Sequence, residues 1–234
     1  METNKVILLI NLLNNEIDNY KNKSINFLLE ELKIDSNSKN INRMIVDRII
    51  EKSKNKDKIK GLLKSLSCVI KTVSLEYNDL LKESMSLNVF KYEDIYIEDW
   101  ETSTLRKYFD TSIFMFVIFK KNGHESFLKN FKIWIMPKSI LDDGVKDTWE
   151  KTKKLICQGK IVNYIDKQGR YITYFPTSGD TKYIHVRPHA KNKNDTLPLP
   201  VVDKTTGKSC FMKHSFWLNR NFVKKIIVED KFYE

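Results

Sequence analysis

The stretch IFMFVIF, residues Ile113 to Phe119, decides the fold class of this chain. It is continuously apolar, which is typical of a strand that is buried on both faces of a sheet. Asn122-Gly123 follows at a position that favours a tight hairpin, and residues 131–136 predict the returning strand, which Pro137 ends. The sequence therefore predicts a sheet with Ile113 to Phe119 as its buried central strand.

The segments on either side of this strand predict a mixture of helices and further strands. Apolar residues at spacings of three and four predict helices through the first sixty-odd residues, and the β-branched run Cys68 to Val73 predicts a strand. Ser86 to Lys91 alternates and is expected to be the antiparallel neighbour of that strand. A helix is expected from about Val145 to Cys157, with Gly159 as its stop. Short strands are expected at 161–165, 171–175 and 183–187, and residues 222–228 are expected to close the chain as a helix or a strand. The fold class is α/β, with a mixed sheet flanked by helices.

Length and composition favour one large domain with two lobes. The chain has 234 residues, of which 41% are hydrophobic and 30% charged, enough for a core and a polar surface. We expect a single domain, 1–234, with a helical lobe at 1–65 and a sheet-containing lobe at 66–234. Val6 to Leu13 is too short an apolar run to cross a bilayer. Cys68, Cys157 and Cys210 are odd in number and widely separated, so we expect a cytoplasmic protein that does not contact membranes.

The positive charge is concentrated near the end of the chain. The formal net charge is +11, and from Asp180 to Lys225 ten bases face three acids, a local net charge of +7. A local basic surface favours a polyphosphate partner, because each neutralised phosphate releases counterions. A basic surface that serves solubility alone is the alternative.

Two other groups of residues contain the kinds of side chain found in a metal or catalytic site. His185, His189, Cys210 and His214 could supply a tetrahedral zinc site, but their spacing matches no knuckle or finger, and we expect imidazoles that face solvent or DNA. An acidic stretch invites a metal-carboxylate or paired-acid interpretation, although acids at the start of a helix also stabilise its N-terminus, and this second interpretation is preferred. The stretch comprises Glu93, Asp94, Glu98, Asp99 and Glu101.

The basic C-terminal segment alternates charged residues with planar and apolar ones. It contains Arg187-Pro188-His189, then Lys191 to Lys193, then Phe216 to Phe222. An arginine offers the fork that pairs with guanine in the major groove, whereas lysines match phosphates without reading sequence. This composition predicts a base-reading loop, with Phe216 expected in the core.

An ordered set of short phrases resembles the MutH and GATC-cutting type II restriction endonuclease family. The resemblance is strongest to the C-terminal half of long restriction enzymes that contain two MutH-like domains. It runs from about residue 39 to 228. The phrases are Ile70–Val73, Lys82–Met85, Trp100–Ser103 with Leu105-Arg106, Asp147–Glu150 with Gln158-Gly159, Tyr183–Pro188 and Phe216–Leu218. The resemblance implies a restriction-endonuclease-like fold in which the N-terminal helical lobe forms one wall of a DNA cleft.

The resemblance also implies where the family's catalytic residues fall. Two carboxylates of the family hold magnesium beside the scissile phosphate, and a lysine orients the attacking water. Lys71 matches that lysine, Val69 stands at the glutamate position and Leu62 at the aspartate position. A further family lysine falls on Tyr108, and a helix glutamate is matched by Asp47. A valine cannot coordinate magnesium, so no catalytic residue is assigned to this chain.

The recognition residues of the family are better matched. Arg187 and Pro188 fall on the loop that enters the major groove at GATC, Trp217 falls on an aromatic contact position, and Lys39 on a basic contact of the N-terminal lobe. His189 belongs to the same loop. Lys191, Lys193, Lys213 and Arg220 are expected to engage phosphates.

The function expected from this resemblance is binding of double-stranded DNA containing GATC without cleavage. The chain would be the noncatalytic, allosteric or effector domain beside a catalytic N-terminal MutH-like domain or subunit. It would need no cofactor, and magnesium would belong to that partner. One alternative is an active magnesium-dependent GATC endonuclease with a displaced acid such as Glu51 or Asp57. The other is a protein-interaction module that docks on a catalytic subunit.

Overall fold

A computed structural model describes residues 3–35, 38 and 40–228 of the chain. The helices are α1 Thr3–Asp18, α2 Ile25–Leu32, α3 Ile41–Lys52, α4 Lys56–Ser65, α5 Tyr92–Ile97, α6 Thr104–Thr111, α7 Lys138–Ile140, α8 Lys146–Cys157 and α9 Arg220–Val228. The strands are β1 Cys68–Leu75, β2 Met85–Val89, β3 Ile113–Asn122, β4 Glu125–Trp134, β5 Val162–Ile165, β6 Tyr171–Thr173, β7 Ile184–Pro188, β8 Thr196–Pro198, β9 Cys210–Met212 and β10 His214–Leu218. The α/β class expected from the sequence is confirmed.

The chain divides into two compact units that are interleaved in sequence. Among the described residues, one unit contains those up to Lys82, then Thr111–Ile135 and Lys224–Val228; the other contains Glu83–Asp110 and Met136–Val223. The helices of the first 65 residues therefore share a unit with β1, β3 and β4. The division expected from the sequence, a helical lobe at 1–65 and a sheet-containing lobe at 66–234, separates these helices from the three strands.

The first unit is built on a sheet in the order β1-β3-β4. β1 runs parallel to β3, and β3 runs antiparallel to β4. Residues 113–119 are all buried, which confirms the central strand. Asn122 pairs with Glu125 across the hairpin, and Gly123 has a φ of 63°, a backbone conformation that glycine adopts without strain.

The helices cover one face of this sheet. Alternate residues of β3, among them Met115 and Val117, pack in one core with Leu9, Leu28 and Ile45 of the helices. Phe114 and Phe116 belong to the opposite face of β3, because successive side chains of a strand alternate. The amphipathic helices expected from the N-terminal sequence are confirmed by this core.

The second unit contains a different sheet, in the order β2-β10-β7. The expectation that Ser86 to Lys91 lies beside the strand at 68–73 was wrong: β2 pairs with β10, with Ser86 opposite Trp217, and β1 pairs with β3. Sequence alternation identifies a strand but not its partner, and neighbouring strands along a chain do not always pair. β5 pairs with β6, and β8 pairs with β9, in two further small sheets.

Helix α8 and its ends were predicted closely. Gly159 has a φ of 59°, and an added Cβ would lie 2.4 Å from the carbonyl oxygen of Val202, so glycine is required at this stop. Residues 220–228 form a helix, which settles the expectation of a helix or a strand there. Among the residues that the structure describes, no helix combines the length and the apolarity that crossing a membrane requires.

Candidate nucleic-acid interface

Arg187 lies on the face of an antiparallel strand pair, at the end of β7. The register places Arg187 opposite Ser215 and His185 opposite Trp217, so all four side chains belong to one face of β7 and β10. The guanidinium carbon of Arg187 lies 4.8 Å from the centroid of the Trp217 ring. Arg187 is exposed and Trp217 is partly buried. The guanidinium of Arg187 therefore packs on the Trp217 ring with its outer side open to solvent.

His189, the residue that follows β7, completes this arrangement. Its ring centroid lies 5.6 Å from that of Trp217, and its Nδ1 lies 2.8 Å from the hydroxyl oxygen of Ser215. The indole N–H of Trp217 is buried and has no hydrogen-bond partner among the described residues. Trp217 therefore contacts its neighbours Arg187 and His189 through its ring, whereas the only polar atom of its side chain is buried.

The basic side chains of the candidate interface are in two different states, exposed without an ion pair to any described residue or paired with an acid. Lys191 and Lys193 are exposed, as is Arg220 at the start of α9. Lys213 forms an ion pair with Asp195, which also accepts a 3.0 Å hydrogen bond from the backbone N–H of Lys191. The bond from Lys213, followed by that from Lys191, lowers the pKa of the Asp195 carboxyl. The charge of Lys213 is thus locally compensated.

Lys39, the remaining basic residue of the predicted contact set, lies outside the residues that the structure describes.

Two histidines that were expected to face solvent or DNA are buried, so that expectation was wrong for them. His185 is bonded through Nδ1 to the amide oxygen of Asn219, and burial lowers the pKa of its imidazole. His214 Nδ1 lies 2.8 Å from the hydroxyl of Tyr92, and burial lowers the pKa of His214 to about 4. Polar partners that are distant in sequence make this burial possible.

The four residues considered for zinc do not form a cluster in the structure. Each of the three histidines has a hydrogen-bond partner of its own, and Cys210 is exposed. Within 3–35, 38 and 40–228 no group of three or more histidine, cysteine or acidic side chains is arranged to hold a metal ion.

Two of the positions that match the catalytic residues of the resembled family have apolar side chains, and the lysine position is partly buried. Val69 and Lys71 are two residues apart on β1 and share the face opposite to the helices. Burial, and secondarily the charge of Arg43, lowers the pKa of the Lys71 ammonium. Leu62 packs against the core between the helices and the sheet. Neither Val69 nor Leu62 has a side-chain oxygen with which to bind a cation.

The acids near these positions are engaged by basic side chains or helix ends. Asp47 accepts a 2.9 Å hydrogen bond from Arg43, whose Nη1 donates to the carbonyl of Ile70 on β1 at 3.0 Å. Glu51 forms an ion pair with Lys60, which lowers the pKa of the Glu51 carboxyl. Asp57 lies in the first turn of α4, where an acid stabilises the helix end. These residues do not fit a two-carboxylate magnesium site.

Tyr108, the remaining degenerate position, lies in the second unit on α6. Burial raises the pKa of its phenol, which therefore stays neutral at physiological pH.

Several acids of the stretch from Glu93 to Glu101 lie at a helix start or in an ion pair. Glu93 and Asp94 lie in the first turn of α5, which confirms the helix-start interpretation for these two. Glu101 lies 3.3 Å from Arg106, which also pairs with Asp142 and lies 5.6 Å from the ring of Trp100.

Sequence reasoning missed the partners that hold the interface together. Asn219 bonds His185, Ser215 bonds His189 and Asp195 bonds Lys213. Ser215 could have been found, since it alternates with Trp217 on a strand, but Asn219 and Asp195 depend on contacts across the fold.

A comparison with protein-family models found no match to this chain. A comparison with characterised proteins found the type II restriction enzyme Sau3AI of Staphylococcus aureus, which is 30% identical over an alignment 238 residues long that covers 88% of this chain. The chain is a relative of a type II restriction enzyme. It spans about half the length of Sau3AI, since the match covers 48% of that enzyme. This match confirms the expected relation to type II restriction enzymes.

Proposed function

We propose that this chain binds duplex DNA at GATC and serves as the noncatalytic domain of a type II restriction system. The observation that carries the proposal is the exposed Arg187 guanidinium held over Trp217 on a basic strand-end face. The similarity of most of the chain to Sau3AI supports DNA as the partner. The cytoplasm is its proposed location.

In this proposal Arg187 is the residue that reads a base. Its planar fork pairs with O6 and N7 of guanine, a bidentate contact worth about 1–3 kcal/mol of discrimination. The ring of Trp217, 4.8 Å away, restricts the guanidinium before DNA arrives, so less conformational freedom is lost on binding. Pro188, which follows directly, limits the backbone at the strand end.

The phosphate contacts of the proposal come from the exposed cations around this face. Lys191, Lys193 and Arg220 are available to phosphates without breaking an ion pair that the structure shows. Lys213 must share its charge with Asp195, so we expect a smaller contribution from it.

The proposed lack of cleavage rests on the degenerate positions. Val69 and Leu62 offer no ligand to magnesium, and Asp47 and Glu51 are paired with Arg43 and Lys60. Cleavage would then belong to a catalytic domain or subunit that holds the magnesium, and this chain would supply a second DNA contact to it.

The test is a comparison of Arg187→Ala with Arg170→Ala. Both remove an exposed arginine from the second unit, but Arg170 lies in the turn between β5 and β6, where it pairs with Asp166. We expect Arg187→Ala to cost about 1–3 kcal/mol of the preference for a GATC duplex over a scrambled one. Arg170→Ala should keep the preference. Equal weakening of both duplexes by Arg187→Ala would show that this residue does not read bases.

A further inference from the structure

A cavity with a volume of about 160 Å³ lies within the second unit. Four aromatic side chains line it: Phe90 of the segment after β2, Tyr108 of α6, Trp149 of α8 and Phe216 of β10. Phe216 points away from the face of β10 that contains Trp217, since successive side chains of a strand alternate. The cavity is therefore separate from the proposed DNA-reading face.

Two carboxylates also line this aromatic cavity. Asp94 is half-buried, and its side chain has no hydrogen-bond or ion-pair partner among the described residues. Its position in the first turn of α5 stabilises the helix end but supplies no counter-ion. The Glu98 carboxylate accepts a hydrogen bond from the Thr104 hydroxyl. A cation in the cavity would supply the counter-ion that the Asp94 carboxylate lacks.

The ammonium groups of the two lysines described beside the cavity do not meet this need. Lys153 lies over the Trp149 ring at 5.4 Å, but it pairs with Asp99 at 3.8 Å and donates to the backbone carbonyl of Glu98. Lys91 borders the cavity but is exposed to solvent. The carboxylate of Asp94 remains unpaired by either.

We propose that this cavity binds an organic cation, an alkylammonium or guanidinium group, with Asp94 as its counter-ion. The faces of aromatic rings attract cations through their quadrupole, and their hydrocarbon surface accepts the alkyl part. A cavity of about 150 Å³ is large enough for benzene, so this one accommodates a group of four to six heavy atoms. Such a cation can be a free polyamine or the side chain of a lysine or arginine from another chain.

The experiment titrates n-butylammonium, butan-1-ol and butyrate into the full chain without DNA. Binding is followed by the indole N–H resonance of Trp149, which is assigned from the spectrum of Trp149→Phe. We expect saturation by n-butylammonium at millimolar concentration, about fivefold tighter than butan-1-ol, and no saturation by butyrate. Because DNA is absent, the result is independent of whether the chain reads GATC.

Asp94→Asn and Glu93→Gln form the matched pair of variants. Asp94→Asn should remove the preference for the cation while leaving binding of butan-1-ol unchanged. Glu93→Gln should alter neither constant, because Glu93 lies in the same first turn of α5 but is exposed and does not line the cavity. Equal binding of cation and alcohol by the unmodified chain, or no saturation by about 100 mM n-butylammonium, would overturn the proposal.

Two further ligands distinguish the sources of the cation. Tighter binding of spermidine than of Nα-acetyl-lysine methylamide supports a free polyamine. The reverse order supports a side chain presented by another protein chain.

Discussion

Replacing Trp217 tests whether its ring positions Arg187 or whether its indole N–H contacts DNA. Trp217→Leu removes the ring 4.8 Å from the Arg187 guanidinium, and an exposed cation–π contact is worth about 0.5–1 kcal/mol. We therefore expect the dissociation constant for a GATC duplex to rise about two- to fivefold. The scrambled duplex should bind as before, because phosphate contacts come from other side chains.

Trp217→Phe is the matched control for this prediction. Phenylalanine keeps an aromatic face under Arg187 but lacks the five-membered ring of the indole with its N–H, which is buried and has no partner among the described residues. We expect the affinity for GATC to stay within about twofold of the unmodified chain. The assay is fluorescence anisotropy of labelled GATC and scrambled duplexes at one salt concentration.

Two results would refute this reasoning. An equal loss in Trp217→Phe and Trp217→Leu would mean that the indole N–H is what matters for binding. Unchanged discrimination in both variants would mean that the ring does not hold Arg187 for base reading.

Three further predictions concern phosphates, catalysis and pH. Lys191→Ala should weaken binding to all sequences and lower the magnitude of the slope of log K against log salt by about one. Lys213→Ala should lower it less, because the Lys213 ammonium is already paired with Asp195. Equal slopes for the two variants in salt titrations would contradict this. Val69→Glu should produce no magnesium-dependent nicking of plasmid DNA, because Leu62 leaves the second carboxylate missing; nicked product on a gel would show that one acid suffices. His214 has a folded-state pKa of about 4, below the ordinary 6.5, so the unfolded chain binds the extra proton and stability should fall as the pH drops from about 6.5 towards 4. Urea unfolding at several pH values measures how the free energy of unfolding depends on pH. This dependence should be weaker in His214→Phe than in the control His124→Ala, which changes an exposed hairpin residue. An equal dependence in the two variants would count against His214 as the cause.

The elements that sequence predicted well are those with a strong local signal. Residues 113–119 are continuously apolar, Gly123 permits the hairpin turn, and Gly159 ends α8 in a positive-φ conformation. Phe216, expected in the core, is buried. Each of these outcomes follows from a few adjacent residues.

The pairing of strands depended on information that is not local. β2 pairs with β10 rather than with β1, and no pattern within Ser86 to Lys91 distinguishes the two partners. The burial of His185 and His214 likewise depends on Asn219 and Tyr92, which are distant along the chain. Sequence alone treats a histidine as a polar surface residue unless such partners are known.

The candidate interface was predicted in composition but not in geometry. Arg187 and Trp217 were both selected from the sequence, yet their stacking follows from the register in which His185 lies opposite Trp217. Lys213 forms an ion pair with Asp195, whereas the structure shows no ion pair for Lys191 among the described residues. The sequence gives no reason to distinguish these two lysines as phosphate contacts.

The most direct test of the central claim is a binding titration of the chain on a GATC duplex and a scrambled duplex, at two salt concentrations with magnesium present. The products are then run on a gel. We predict tighter, salt-dependent binding to GATC with both DNAs intact. Cleaved DNA would contradict the noncatalytic assignment, and equal affinity for the two duplexes would contradict the reading of GATC.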